Sequence, residues 1–350
     1  MAELEPNNEN YGKYTDVEPY VIRQEAPVRP RFGIWLNVVL FIVTFFTTTF
    51  AGVAWLNKDP YDLSNFKYGI TYSILLLLFL SSHEFGHYFA AKIHKVKVTL
   101  PYYIPFPLFL NPFGTMGAVI RMQSPSKSRK ALFDIGIAGP IAGFIVASAF
   151  LVYGMTHLPP IEYIYKIHPE YMSMGVPTSG FSFGINILYW GMGKLLTSSP
   201  HVFLPPMNEM YHYPFLCIGW FGLLVTALNL LPVGQLDGGH VTYSLLGRKH
   251  RIIARVFFIL TLTMGLIGLP SIIDSIFLEL GYKPLFNFVV LEGYGFASWF
   301  LWSILMFFVI KIDHPPIYDP EPIGTPRKLL GLFALFMFVV SFTPVPFNNF

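Results

Sequence analysis

In His83-Glu84-Phe85-Gly86-His87, two imidazoles and a carboxylate sit inside the otherwise uncharged run 70–90, which is long enough to cross a membrane. Ionisable groups at such depth are costly, so their presence points to chemistry. On a helix, residues four apart share one face. His83 and His87 are so spaced that a nitrogen from each can reach one metal ion, and zinc is the ion the pattern suits. Glu84, the next residue along, can reach a water at that ion without ligating it.

The rest of the chain must hold this helix in lipid. Hydrophobic residues make up 53% of the 350 residues and charged ones 12%, about half the charged share usual in a soluble domain. The chain therefore reads as an all-α polytopic membrane protein. Its net charge of +3 is small, and no basic arm with interleaved aromatics suggests a nucleic-acid partner. The single cysteine, Cys217, excludes an intrachain disulfide framework and a cysteine-rich metal site, and reads as a small buried residue. Residues 1–32 read as a polar cytoplasmic tail, without the apolar core of a signal peptide or the acid-poor character of a transit sequence.

About seven transmembrane helices are expected, at 33–56, 70–90, 131–155, 214–236, 252–273, 296–310 (extending toward Leu291) and 329–342. Gly136, Gly139 and Gly143 mark the third as a close-packing helix, bent by Pro140. Asp134, in its first turn, suits the helix dipole. Between spans two and three, Pro101, Pro105, Pro107 and Pro112 forbid a continuous helix. Alternation at 95–98 and 117–121 predicts two short strands flanking an apolar, re-entrant hairpin. Such backbone lies at membrane depth only where protein or a wet cavity covers it. The connection 156–212 is aromatic-rich, with an interfacial helix expected near 185–196. Lys92, Lys95, Lys97, Arg121, Lys127, Arg129 and Lys130 follow span two, and Arg248, Lys249 and Arg251 follow span four. This bias puts the N-terminus in the cytoplasm and the C-terminus outside. Residues 33–346 then form one integral membrane domain with a catalytic core at 70–246.

A catalytic zinc takes three protein ligands, so the helix leaves one to be found. His83 and His87 fall in the cytoplasmic half of span two. Span four runs the same way and ends at Asn229-Leu230-Leu231-Pro232-Val233-Gly234-Gln235-Leu236-Asp237-Gly238-Gly239, which brings Asp237 to a comparable depth on a helix broken by Pro232 and Gly234. His240 is a second candidate, and His94, in the basic loop, a third. His157, His168, His201 and His212 belong by topology to the opposite side of the membrane, whereas His250 and His314 read as interfacial residues at cytoplasmic span ends.

The pairing of H-E-x-x-H at His83–His87 with N-x-x-P-x-x-x-x-D-G at Asn229–Gly238 resembles the site-2 protease family of intramembrane zinc metalloproteases. Gly114-Thr115-Met116-Gly117 and Ala138-Gly139-Pro140 add to the likeness, which covers about residues 70–246. The short 156–212 connection is similar to the branch that lacks a PDZ domain. The chain departs from the family at Gly143, where many members carry an asparagine. The resemblance implies that His83, His87 and Asp237 bind zinc, that Glu84 is the catalytic acid/base, and that Asn229 holds substrate or oxyanion. It also implies a transmembrane protein substrate, cut within or near its span in regulated intramembrane proteolysis, at a site facing the cytoplasm in the plasma or inner cell membrane. A strand edge at 95–122 would pair with the unwound substrate. A transporter of zinc or another divalent metal using the same His/Asp cluster is the alternative from a different class.

Overall fold

In lipid, a backbone that crosses must satisfy its own hydrogen bonds, so the long apolar runs are bound to become helices. A computed structural model of the chain describes residues 33–109, 111–123, 128–286, 295–317, 319 and 321–349. The expectations for the 1–32 tail, for Lys127 and for an extension toward Leu291 fall outside these residues. The first three apolar runs form α1 (Gly33–Ala54), α2 (Phe66–Ile93) and α3 (Arg129–Thr156). Ser128 caps α3, its hydroxyl accepting from the Lys130 N–H at 3.2 Å, and Pro140 is carried inside the helix.

The 156–212 connection folds as α4 (Glu162–Ile167), α5 (Tyr171–Met174) and α6 (Ile187–Leu196), the last capped by Asn186 close to where an interfacial helix was expected. The fourth apolar run divides. Helix α7 (Pro214–Asn229) ends at Asn229, an irregular stretch follows, and α8 (Asp237–Leu246) starts at Asp237. A short 3₁₀ turn then leads into α9 (His250–Glu279), and α10 (Ser298–Leu305, prolonged by a π-helical turn) and α11 (Thr325–Ser341) complete the helices. The chain is mostly helical. Among the described residues, Gly33–Ala54, Leu63–Ile93, Arg129–Thr156 and Asp237–Glu279 are long and apolar enough to cross a membrane, four stretches where about seven were expected. Pro214–Asn229 and Ser298–Ile310 are shorter apolar helices.

The hairpin is displaced from its predicted position. Strand β1 (Tyr102–Pro105) pairs antiparallel with β2 (Thr115–Val119), Tyr102 facing Val119 and Tyr103 facing Ala118. Residues 95–98 fail as a strand because they close α2. Lys95 takes a left-handed φ of 56°, and the Val96 N–H returns to the Ala91 carbonyl at 2.9 Å, the wrap of a Schellman cap. Of the predicted strand only Val98 bridges, to Met122. Pro105 is tolerated because β1 is an edge strand. A second ribbon joins β3 (Phe181–Phe183) to β4 (Phe347–Asn349), tying the chain's last described residues to the 156–212 connection.

Helices α2, α3 and α7 form the centre around Leu76, Phe79, Leu151, Leu216, Trp220 and Leu223. Lipid offers little hydrophobic drive for helix association, so close approach of backbones must supply it. By contrast α1 and α9 carry exposed apolar side chains, Trp35 and Val39 on the first and Ile252 and Ile259 on the second, as helices facing lipid do.

Candidate metal centre

His83 and His87 lie on the face of α2 that packs against α3 and α7, and both are buried. The end of α7 turns the chain back, so that Asp237, the first residue of α8, meets them. Gly238 makes this turn possible: a Cβ there would fall 2.0 Å from the Leu230 carbonyl oxygen. The Gly234 N–H is braced on the Ile312 carbonyl at 2.9 Å, which anchors the irregular stretch from the far side.

The three side chains converge. His83 Nε2 and His87 Nε2 are 3.1 Å apart, and Asp237 Oδ2 is 3.4 Å from the first and 3.3 Å from the second. His87 Nδ1–H donates to the Ile135 carbonyl at 2.7 Å, which fixes the tautomer and turns the Nε2 lone pair inward. That lone pair faces a carboxylate oxygen, an arrangement of acceptors that calls for a shared cation. A tetrahedral ion with bonds of about 2.0–2.1 Å holds its ligand atoms about 3.3 Å apart. The observed triangle matches this spacing on every edge, and two imidazoles with one carboxylate are a donor set zinc accepts. Helix α3 closes the site: Gly139 lies against the His87 ring, and a Cβ there would stand 2.1 Å from Nε2.

Glu84 is buried beside the cluster without belonging to it, and its carboxylate lies close to the Ile120 backbone just past β2. The hairpin is also tied to α2 by Tyr103, whose hydroxyl lies 2.6 Å from that of Ser81. Asn229 ends α7 with its amide Nδ2 donating toward His83 Nε2 at 3.3 Å. An apolar cleft of about 610 Å³, lined in part by Leu230, Pro232, Gly238 and Val241, lies between α8, α9 and α11.

The rival third ligands lie outside the triangle. His314 Nδ1–H donates to the Pro315 carbonyl at 2.6 Å, so its Nε2 accepts from His240 Nδ1–H at 2.8 Å. His250 and His314 are buried around Tyr243, not interfacial as expected, because the 311–317 segment folds onto α8. His94 donates to Asp134 at 2.8 Å, and Arg327 from α11 grips the same carboxylate at 2.8 and 2.6 Å. Asp134 is thus the hub joining α2, α3 and α11; it does not lie in the first turn of α3 as expected, because the helix begins at Arg129, and its carboxylate serves these partners instead of the helix dipole. Arg327 is 193 positions away, beyond any local pattern.

The profile of "Peptidase family M50" matches residues 71–269. The chain is 27% identical over 329 residues to "Probable zinc metalloprotease EGY2, chloroplastic" of Oryza sativa subsp. indica, covering 90% of this chain and 52% of the relative. It is 27% identical to the Arabidopsis thaliana protein of the same name (87% of this chain, 48% of the relative). Against "Probable zinc metalloprotease EGY1, chloroplastic" of Arabidopsis thaliana it is again 27% identical (79% and 42%). The chain thus spans about half the length of the curated relatives it matches. No solved structure matches the chain significantly.

Proposed function

This chain belongs to Peptidase family M50, and on that premise we propose that it is an intramembrane zinc endopeptidase cutting membrane-protein substrates within or near a transmembrane segment. The observation that carries the reading is the triangle of His83, His87 and Asp237, with edges of 3.1 to 3.4 Å, beside the Glu84 carboxylate. In this reading His83, His87 and Asp237 hold the ion. Zinc, when bound in such a set, supplies a Lewis acid for the scissile carbonyl and lowers the pKa of water toward about 7. Glu84 accepts the proton of the attacking water and passes it to the amine as the C–N bond breaks. Asn229 aims its amide N–H groups at the same space, where one can donate to the oxyanion.

The substrate peptide must unwind before cleavage, and its freed backbone needs partners. Strand β2 offers an edge beside Glu84: among the described residues it pairs only with β1. Val119→Pro should abolish cleavage at unchanged zinc content, and intact cleavage would reject this role. The finer architecture follows the same reading: one integral domain over 33–346 with its catalytic core at 70–246, about seven crossings, a re-entrant hairpin, and a cytoplasmic tail at 1–32. Two features support the orientation. Lys92, Arg129, Arg248 and Arg327 lie at the end of α2, the start of α3, just after α8 and at the start of α11, and β4 pairs with the 156–212 connection. We place the protein in the plasma or inner cell membrane with its active site toward the cytoplasm, in regulated intramembrane proteolysis. The transporter alternative finds no support, since relatives matched over most of the chain are named zinc metalloproteases.

Glu84→Gln tests the reading. The variant should keep its zinc and lose cleavage of a model transmembrane substrate in proteoliposomes. A cleaving Glu84→Gln protein, or one that drives zinc flux across the bilayer, would overturn it.

A further inference from the structure

A second trio of ligating side chains lies at the far end of the helices. Helix α7 runs from Pro214, two residues after His212, to Asn229 at the first cluster, about 24 Å at 1.5 Å per residue. At that far end His168 Nε2 and His212 Nε2 are 2.9 Å apart. Glu209 Oε2 stands 3.3 Å from His212 Nε2 and 3.9 Å from His168 Nε2. The reading of the metalloprotease site leaves all three without a task.

The hydrogen bonds around the trio decide what faces inward. His212 Nδ1–H donates to the Trp55 carbonyl at 2.6 Å, just beyond α1, so its Nε2 carries a lone pair. His168 Nδ1–H donates to Glu170 Oε1 at 3.1 Å, which orients its ring in the same way. The Tyr171 hydroxyl donates to Glu209 Oε1 at 2.8 Å, leaving Oε2 buried with no hydrogen-bond partner. Glu209 is only 2% exposed, and among the described residues it forms no ion pair with a lysine or arginine. Three acceptors therefore meet in a buried place where an unpaired carboxylate is expensive. A proton can bridge one pair of them. A metal ion can serve all three.

We infer that His168, Glu209 and His212 form a second, structural metal site for a divalent ion of the zinc type. Its edges of 2.9, 3.3 and 3.9 Å bracket the roughly 3.3 Å that tetrahedral coordination imposes. Its outer partners follow the rule for such sites, with carbonyl or carboxylate acceptors on the distal imidazole nitrogens and a hydroxyl on the free carboxylate oxygen. The ion pins the α4–α5 connection to the start of α7 and, through the Trp55 carbonyl, to the end of α1. Tyr163 reinforces the same joint by donating from its hydroxyl to the His212 carbonyl at 2.9 Å.

The test is metal stoichiometry on the purified full chain, with Zn²⁺ and Co²⁺ as probes. Two zinc ions per chain are expected in the unaltered protein, and one in the His83→Ala/His87→Ala variant. In that variant Co²⁺ should give the intense visible absorption of a tetrahedral site, lost on adding His168→Ala. His168→Ala alone, at the most accessible of the three positions, should lower the count from two to one. It should weaken binding at this site by more than about 100-fold, beyond the range of an outer-shell change. A count of one in the unaltered protein that His168→Ala leaves untouched would overturn the inference. So would a His83→Ala/His87→Ala protein that keeps its fold by circular dichroism yet binds neither ion stoichiometrically.

Discussion

Gly139→Ala adds one methyl group to α3 and aims it at the metal triangle. The added Cβ would lie 2.1 Å from His87 Nε2, 2.4 Å from its Cδ2 and 2.5 Å from its Cε1. Ordinary contact needs about 3.5 Å, so ring and helix must part by about 1.4 Å. The ring cannot yield freely, because its Nδ1–H is held by the Ile135 carbonyl on α3 itself. The same helix that pushes the ring away also tethers it. Overpacking of this kind costs about 1–3 kcal/mol of stability, which the fold should survive. The chemistry should not fare so well, since a misplacement of about 1 Å costs about 100-fold in rate. We expect zinc affinity to fall by at least about 10-fold, as for other disturbances of ligand orientation, and cleavage by about 100-fold or more. Competition against a chromophoric chelator measures the first, and cleavage of a reconstituted transmembrane substrate the second. Wild-type zinc affinity in Gly139→Ala would refute the claim that α3 is seated against the ligand ring.

Other perturbations separate neighbouring roles. His240→Gln should leave zinc content unchanged, because His240 lies outside the group of ligating atoms that His83, His87 and Asp237 bring together; a loss of the metal would make it a ligand. Asp134→Asn should lower the melting temperature in detergent by a few degrees, consistent with about 1 kcal/mol for a partly exposed cluster, without altering zinc content. A change in metal occupancy with no change in melting would contradict that structural role. Removing zinc with a permeant chelator should abolish cleavage, and zinc alone should restore it; restoration by magnesium alone would argue against a nitrogen-ligated site.

Much of this arrangement is legible in the sequence, for reasons visible in particular residues. Ionisable groups within 70–90 stand out because lipid tolerates so few, and helices α1 to α3 start or end within a few residues of the predicted limits because hydrophobicity alone bounds them. The break after Asn229 was readable from Pro232 and Gly234, and depth alone brought Asp237 and His240 forward together. Deciding which of them turns toward the histidines required the folded chain, in which Asp237 and not His240 joins the ligand atoms of His83 and His87. The strand at 95–98 misled because Lys-Val-Lys-Val alternates like a strand, whereas Lys95 takes the left-handed cap position that glycine more often fills. The Asp134–Arg327 pair and the His168–Glu209–His212 trio join positions 193 and up to 44 residues apart. Glu209 and His212 stand three apart, but only packing brings His168 to them or Arg327 to Asp134, so no spacing rule reveals either group.

X-ray absorption at the zinc edge would examine the metal triangle most directly, using the Glu84→Gln full chain with His168→Ala to exclude the second trio. The expected spectrum has two imidazoles and two further light-atom ligands, the Asp237 carboxylate and a water, at about 2.0–2.1 Å, and Asp237→Ala should lower the first-shell coordination number and remove most of the bound zinc. An identical spectrum and full occupancy in Asp237→Ala would contradict the site described here.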